Sequence, residues 1–144
     1  MNSGTPHTAT DGLVSLFSDF NPSLALEAVV SWTDRELVAR TAAGLPPYLA
    51  LEAQAQACGL HLRRRHAFRV RAYLASVTDL VHEPGQGGLP LTIRTTLVSE
   101  TPAGAAYDVS ANGGPACRML MGHTPLASPD TFFRERFEAL CTRS

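Results

Sequence analysis

A long segment with almost no charge lies in the middle of the chain. Between Gly44 and Leu60 the only charged residue is Glu52, and most of the others are small or apolar. A helix that is apolar on most of its sides is buried rather than laid on a surface. The pattern therefore predicts a buried central helix over residues 46–65, with proline in its first turn and arginines at its end. Helical spacing predicts four residues on its most buried side: Tyr48, Leu51, Ala55 and Leu62.

Much of the remaining chain carries strand patterns. In residues 68–81 outward and inward positions alternate, as in a strand with one face packed and the other exposed to water. Gly, Pro and Asn cluster between such runs, and the Asn-Gly-Gly-Pro sequence at residues 112–115 is typical of a hairpin turn. Strands are predicted over residues 24–32, 36–41, 68–81, 91–99, 105–111 and 116–123.

Two further helices complete the predicted order. One covers residues 12–17, after a loose tail at residues 1–9. The other covers residues 131–140, with Ser128 as its cap, followed by a proline and an acid. Residues 128–144 then form a helical extension. The order predicts one α+β domain over residues 1–144, with an antiparallel sheet against a long helix.

Composition narrows the classes of function. The 144 residues are 44% apolar and 17% charged, with a formal net charge of −1. This balance does not favour nucleic-acid or anionic-membrane binding, and no apolar run reaches the roughly 18–20 residues of a membrane helix. The amino terminus shows no secretory pattern, and the three cysteines form no pair. We expect a cytoplasmic protein that needs no cofactor or metal.

The segment of residues 45–59 reads LPPYLALEAQAQACG. Its run EAQAQACG, entered through two prolines, resembles the central helix of the 3-hydroxyacyl-acyl carrier protein dehydratases, where the pattern is roughly P-G-x-L-x-x-E-A-x-A-Q-A-x-G. These fifteen residues carry the resemblance, and the order of elements agrees from about residue 12 to residue 123. It implies the hotdog fold, in which a curved antiparallel sheet wraps one long helix, and a homodimer.

The resemblance also implies a site. In the dehydratases the matching glutamate acts with a histidine on a 3-hydroxyacyl thioester, which makes Glu52 the candidate catalytic residue. Pro47, Tyr48, Leu49 and Gln56 become candidate substrate-binding residues, with Gln56 in a hydrogen-bonding rather than a reactive role. From position alone, Glu52 is explained slightly better as a structural acid at the polar edge of a helix, and the resemblance reverses that preference. Its apolar surroundings predict a raised pKa.

The chain departs from the family pattern at two points. The family histidine lies in an H-F-P loop about fourteen residues before the glutamate, whereas here no histidine occurs between His7 and His61. Pro47 replaces a glycine whose N–H lies near the thioester carbonyl, and proline has no N–H. The N–H groups of Tyr48 and Leu49 remain available for that role at the start of the helix.

The other histidines are weaker candidates for a catalytic base. His61 and His66 flank an arginine run and are expected at the surface, while His82 lies in a turn and His123 ends the last strand. A site built across a dimer leaves each of them open as a substitute. Cys58, inside the apolar helix, is expected to be inert.

One strongly basic segment covers residues 61–71, HLRRRHAFRVR. It is explained either as a solvated helix end and strand face, or as a docking patch for an acidic acyl carrier protein or for the phosphates of coenzyme A. The candidate docking residues are Arg63, Arg64, Arg65, Arg69 and Arg71.

Three functions fit these observations. The first is a dehydratase-like hotdog protein that binds acyl thioesters without the standard histidine, either inactive or as the partner of a second, complete hotdog subunit. The second is a hotdog thioesterase in which Glu52 is the nucleophile or general base. The third is a dimeric scaffold in which Glu52 is structural.

Overall fold

A computed structural model of the protein describes residues 25–43, 45, 49–79 and 90–142. These residues form six strands and two helices. Neither helix is long and apolar enough to cross a membrane. The predicted helix over residues 12–17 lies outside the described residues. In chain order the elements are β1 (Leu26–Trp32), β2 (Glu36–Thr41), α1 (Ala50–Arg65), β3 (Val70–Thr78), β4 (Thr92–Thr101), β5 (Gly104–Ala111), β6 (Cys117–Pro125) and α2 (Thr131–Thr142).

The described strands form one antiparallel sheet in the order β1-β2-β4-β5-β6-β3. The strand that follows α1 in sequence, β3, therefore lies at one edge, and β1 lies at the other. Helix α1 contacts all six strands, so the sheet wraps around it. This agrees with the predicted α+β arrangement of a long helix against an antiparallel sheet.

Burial along α1 differs from the prediction. Leu62 is fully buried as expected, but Leu51 and Ala55 are only half-buried. The C-terminal half of the helix is enclosed most completely, and its buried residues are Ala57, Cys58, Gly59, Leu60, His61 and Leu62. The N-terminal half keeps one side open because no described part of the chain covers it.

The strand predicted to begin at residue 68 begins at Val70 instead. Ala67 and Phe68 have positive φ values of 54° and 60°, and this left-handed pair reverses the chain after α1. The Phe68 side chain turns into the core, where it is 5% exposed. At the other end β3 stops at Thr78, because Asp79 also has a positive φ, of 60°.

The predicted hairpin turn between the last two strands is confirmed. Asn112 and Gly113 have φ values of 53° and 72°. Positive φ at both central residues is what a tight two-residue turn needs to match the twist of its strands. The turn sets β5 and β6 in register from Gly104 opposite Gly122 to Val109 opposite Cys117.

Helix α2 closes the fold over β1 and the end of α1. Its cap is Asp130 rather than Ser128, since the N–H of Phe133 donates a hydrogen bond to Asp130 Oδ1 at 3.2 Å. Two residues of α2 itself, Phe137 and Leu140, are buried. These apolar side chains fix the position of the helix against the rest of the fold, where Phe137 packs on the rings of Trp32 and Phe68.

Candidate functional site

The site begins at the first turn of α1. Leu49 precedes the helix and is 7% exposed, with no side-chain hydrogen bond capping the helix. The first N–H groups of a helix have no partner within it, and they carry the positive end of its dipole. This end of α1 is therefore suited to hold a developing negative charge such as that of a thioester oxygen.

Glu52 lies in this first turn and is half-buried. None of the described residues gives its carboxylate a hydrogen bond or an ion pair. Burial raises the pKa of Glu52 by penalising the charged form, as the sequence predicted. A carboxyl group with a raised pKa and no partner among the described residues is suited to exchange a proton with a ligand.

Gln56 lies one turn beyond Glu52 on the same side of α1. Its Oε1 atom is buried, and no described residue donates a hydrogen bond to it. A buried acceptor without a donor is unfavourable by about 1–3 kcal/mol. By contrast, Gln54 Oε1 accepts a hydrogen bond from Cys117 Sγ at 3.7 Å. Gln56 Oε1 is thus a buried acceptor that receives no hydrogen bond from the described residues.

Two polar contacts fix the C-terminal half of α1 to the sheet. Cys58 Sγ and Thr95 Oγ1 share a buried hydrogen bond of 3.0 Å. Burial raises the pKa of Cys58 to about 12, which keeps the thiol protonated and agrees with the expected inert role.

The expectation that His61 lies at the surface is wrong. His61 is 1% exposed, with Nδ1 2.8 Å from the Tyr107 hydroxyl and Nε2 2.9 Å from the Thr33 carbonyl oxygen. A carbonyl only accepts, so Nε2 carries the proton and Tyr107 donates to Nδ1. Burial lowers the pKa of His61, which favours this neutral form. This contact is not visible in the local sequence, because Tyr107 lies 46 residues away.

None of the described histidines lies beside Glu52. His61 is nine residues further along α1, which is about 13 Å at 1.5 Å per residue. His66 follows the end of the helix. The His123 ring packs on the His66 ring, with 4.6 Å between the ring centroids. His66 Nε2 also lies 3.2 Å from Glu100 Oε2. This second group of histidines is therefore at the opposite end of the helix from Glu52.

Pro47, Tyr48 and His82 lie outside the described residues. Among the residues that are described, no group of three or more His, Cys, Asp or Glu side chains could hold a metal ion.

The basic segment is divided by its contacts. Arg63 points inward: its guanidinium carbon is 3.8 Å from the centre of the Phe133 ring, and its Nη2 donates a hydrogen bond to the Ala72 carbonyl oxygen at 3.2 Å. Burial lowers the pKa of Arg63 to about 10. Arg65 pairs with Glu100 at 2.6 Å.

The charges of the remaining arginines are less engaged by contacts within the protein. Arg64 covers the Trp32 ring, with 4.3 Å between its guanidinium carbon and the ring centre. Arg69 and Arg71 are exposed at the start of β3. The charges of Arg63 and Arg65 are therefore engaged within the protein, whereas Arg69 and Arg71 are exposed.

Comparison with known proteins finds similarity at the level of structure only. No family model and no curated protein matches the sequence. A chain of the dehydratase heterocomplex ApeI:P from Xenorhabdus doucetiae is similar with a TM-score of 0.57 and 17% identity, over 83% of this chain and 91% of that one.

Two thioesterases are similar to the same extent. HI1161 from Haemophilus influenzae gives a TM-score of 0.61 at 12% identity, over 85% of this chain and 94% of that one. A mutant of PA1618 from Pseudomonas aeruginosa gives 0.58 at 15% identity, over 85% and 96%. At these identities the likeness concerns the fold, and the chain has the hotdog-type fold found in both dehydratases and thioesterases.

Proposed function

We propose that this protein binds an acyl thioester at the N-terminal half of α1, as a dehydratase-like hotdog protein without the standard histidine. The observation that carries the proposal is the Glu52 carboxyl group, half-buried on the open side of the helix with no described partner. The unpartnered Gln56 Oε1 one turn away supports it. The thioester carbonyl would lie near the first-turn N–H groups, with Glu52 beside the acyl carbons.

An incomplete acid/base pair favours a partner-subunit role. Dehydration needs a base for the proton next to the carbonyl and an acid for the leaving hydroxyl. Glu52 supplies one group, and the described histidines are remote from it. A second hotdog subunit with an intact H-F-P loop would supply the other, and the similar Xenorhabdus dehydratase is itself a heterocomplex.

A thioesterase is the second candidate function. Two similar structures are thioesterases. Hydrolysis needs a single carboxylate that attacks the thioester or activates water, which Glu52 alone can provide. Hydrolysis of acyl thioesters by the pure protein, lost in Glu52→Gln, would favour this function over the first.

The carrier of the acyl group would dock near Arg69 and Arg71, which follow the end of α1 opposite to Glu52, so that its thioester arm would extend along the helix. Both are exposed at the start of β3. Their charges suit the acidic surface of an acyl carrier protein or the phosphates of coenzyme A. A cytoplasmic location and independence from cofactors remain predictions.

Glu52→Gln should separate a ligand-binding role from a structural one. We expect this variant to keep the fold and to change the rise in melting temperature caused by a non-hydrolysable acyl thioether analogue of the thioester. A ligand at 100 times its Kd stabilises the wild type by about 2.7 kcal/mol. Glu135→Gln on the exposed side of α2 removes the same charge and should respond as the wild type. An equal ligand-induced shift in wild type and Glu52→Gln would remove Glu52 from the site.

We also propose that the protein is a homodimer joined along β3. This strand is an edge of the sheet, with Tyr73 49% and Leu74 38% exposed. An uncovered edge with apolar side chains is a template for pairing with a second chain. A partner there would also extend over the open side of α1.

Leu74→Lys should convert the dimer to a monomer, because it places a charge in the proposed seam. Val98→Lys changes an equally exposed apolar residue on β4 and should leave the dimer intact. Sedimentation at micromolar concentration measures both. A stable monomer for the wild type would contradict the proposal.

A further inference from the structure

A second groove lies at the opposite end of α1 from Glu52, where α2 crosses β1. Its cavity volume is about 560 Å³, within the range of small-molecule sites. The apolar lining includes Trp32, Phe68, Phe137 and Cys141. Arg64 is twelve residues beyond Glu52, about 18 Å along the helix, so this groove is separate from the proposed thioester site.

The rings of Trp32, Phe68 and Phe137 pack on one another and form the base of the groove, its aromatic floor. The centres of the Trp32 and Phe137 rings are 5.6 Å apart in an edge-to-face contact, and those of Phe68 and Phe137 are 5.9 Å apart. Trp32 remains 36% exposed even though it packs on its neighbours. An apolar ligand lying on this floor would remove that aromatic surface from water.

Two guanidinium groups flank the floor. The Arg64 carbon lies 4.3 Å from the centre of Trp32, and that of Arg134 lies 5.9 Å from the centre of Phe68. Neither forms an ion pair with a described residue. Glu138 shares the rim one turn after Arg134 and offsets its charge. Arg64 also borders a polar cavity of about 260 Å³ that is lined by Asp34 and by Arg65, which pairs with Glu100; Asp34 does not line the groove itself.

The charged residues that line the groove are Arg64, Arg134 and Glu138, so the lining carries one net positive charge. We infer that the groove binds a monocarboxylate with an apolar body, its chain on the aromatic floor and its carboxylate on Arg64. A ligand with one negative charge matches the net positive charge of the groove, whereas a cationic ligand would be repelled by two guanidinium groups. A neutral ligand would gain the apolar contact without the charge-assisted hydrogen bonds.

Trp32 is the only tryptophan of the chain, and it lines the groove, so its fluorescence reports on binding. The probe is octanoate, titrated into the full-length protein, with 1-octanol as the uncharged comparison. We expect a saturable change with octanoate and weaker binding of octanol. Arg64→Gln should weaken octanoate binding roughly tenfold and leave octanol binding unchanged.

Three further variants make the test specific. Cys141→Phe should fill the groove and abolish binding of both probes, with circular dichroism and a thermal melt confirming that it folds. Arg69→Gln removes a charge outside the groove and should bind octanoate as the wild type does. Glu52→Gln should also bind normally, whether or not the proposed thioester site is correct.

Several results would overturn the inference. A fluorescence change that rises without saturation would show that octanoate only partitions onto the protein. Equal weakening by Arg64→Gln and Arg69→Gln would show a general charge effect. Loss of binding in Glu52→Gln would place octanoate in the other site, and unchanged octanoate affinity in Arg64→Gln would remove the carboxylate contact.

Discussion

His61→Ala should destabilise the fold by about 3–5 kcal/mol, the largest effect on stability that we expect from a single substitution. The variant leaves the Tyr107 hydroxyl without its partner in the interior and removes a second hydrogen bond, to the part-buried Thr33 carbonyl. An unsatisfied buried group costs about 1–3 kcal/mol, and the lost ring adds a cavity. Urea unfolding at fixed protein concentration measures the change.

His66→Ala is the matched control, since this histidine lies at the surface beside Glu100. Its loss should cost less than about 1 kcal/mol. If His61→Ala unfolds within 1 kcal/mol of the wild type, the contact to Tyr107 does not hold the helix to the sheet.

The same variant should change the pH dependence of stability. Burial lowers the pKa of His61 in the folded protein, whereas the unfolded chain has the ordinary value of about 6.5. The unfolded state therefore binds more protons below that pH. Stability should be full above about pH 6.5 and fall as the pH drops toward the lower folded value. His123 also has a lowered pKa, so the difference between wild type and His61→Ala isolates His61.

The second large effect concerns catalysis. The pure protein should dehydrate 3-hydroxyacyl thioesters poorly, because a missing acid/base group removes roughly 10²–10⁴-fold in rate. A hotdog subunit that carries the H-F-P histidine, with its own catalytic glutamate replaced by glutamine, should be inactive alone. Mixing the two should restore activity only if Glu52 acts with the histidine of the other subunit.

Glu52→Gln in that mixture is the control and should abolish the restored activity. Efficient turnover by the pure protein would refute the expectation. In that case, substitution of His61, His66, His82 and His123 one at a time would identify the histidine that replaces the missing one.

The helices and strands can be predicted from the local sequence, but which parts of the chain they pack against cannot. The single charge between Gly44 and Leu60 was sufficient to predict α1, and Asn112-Gly113 was sufficient for the hairpin. The start of β3 was misplaced because its alternation continues into Phe68, whose left-handed backbone has no mark in the residue type. The alternation of apolar and polar positions shows which residues are apolar. It does not show the turn at Ala67 and Phe68, which depends on the packing of α2.

The site was predictable only where it is local. Glu52 was found because it is an isolated charge in an apolar helix. His61 was misjudged because three arginines follow it within four residues, although its own side chain faces the sheet. Whether such a histidine is buried depends on Tyr107, a partner that no short window of sequence contains.

The uneven enclosure of α1 bears on how this protein can change during evolution. The turns that contain Cys58 and His61 hold the helix to the sheet through buried hydrogen bonds. The Glu52 carboxylate and Gln56 Oε1 receive no such bond from the described residues. Substitutions of Glu52 and Gln56 therefore cost the protein little of its stability, in contrast to substitutions of Ala53, which is fully buried between them. A lineage built on this helix is free to lose a catalytic group, acquire another or take up a new acyl substrate while its architecture persists.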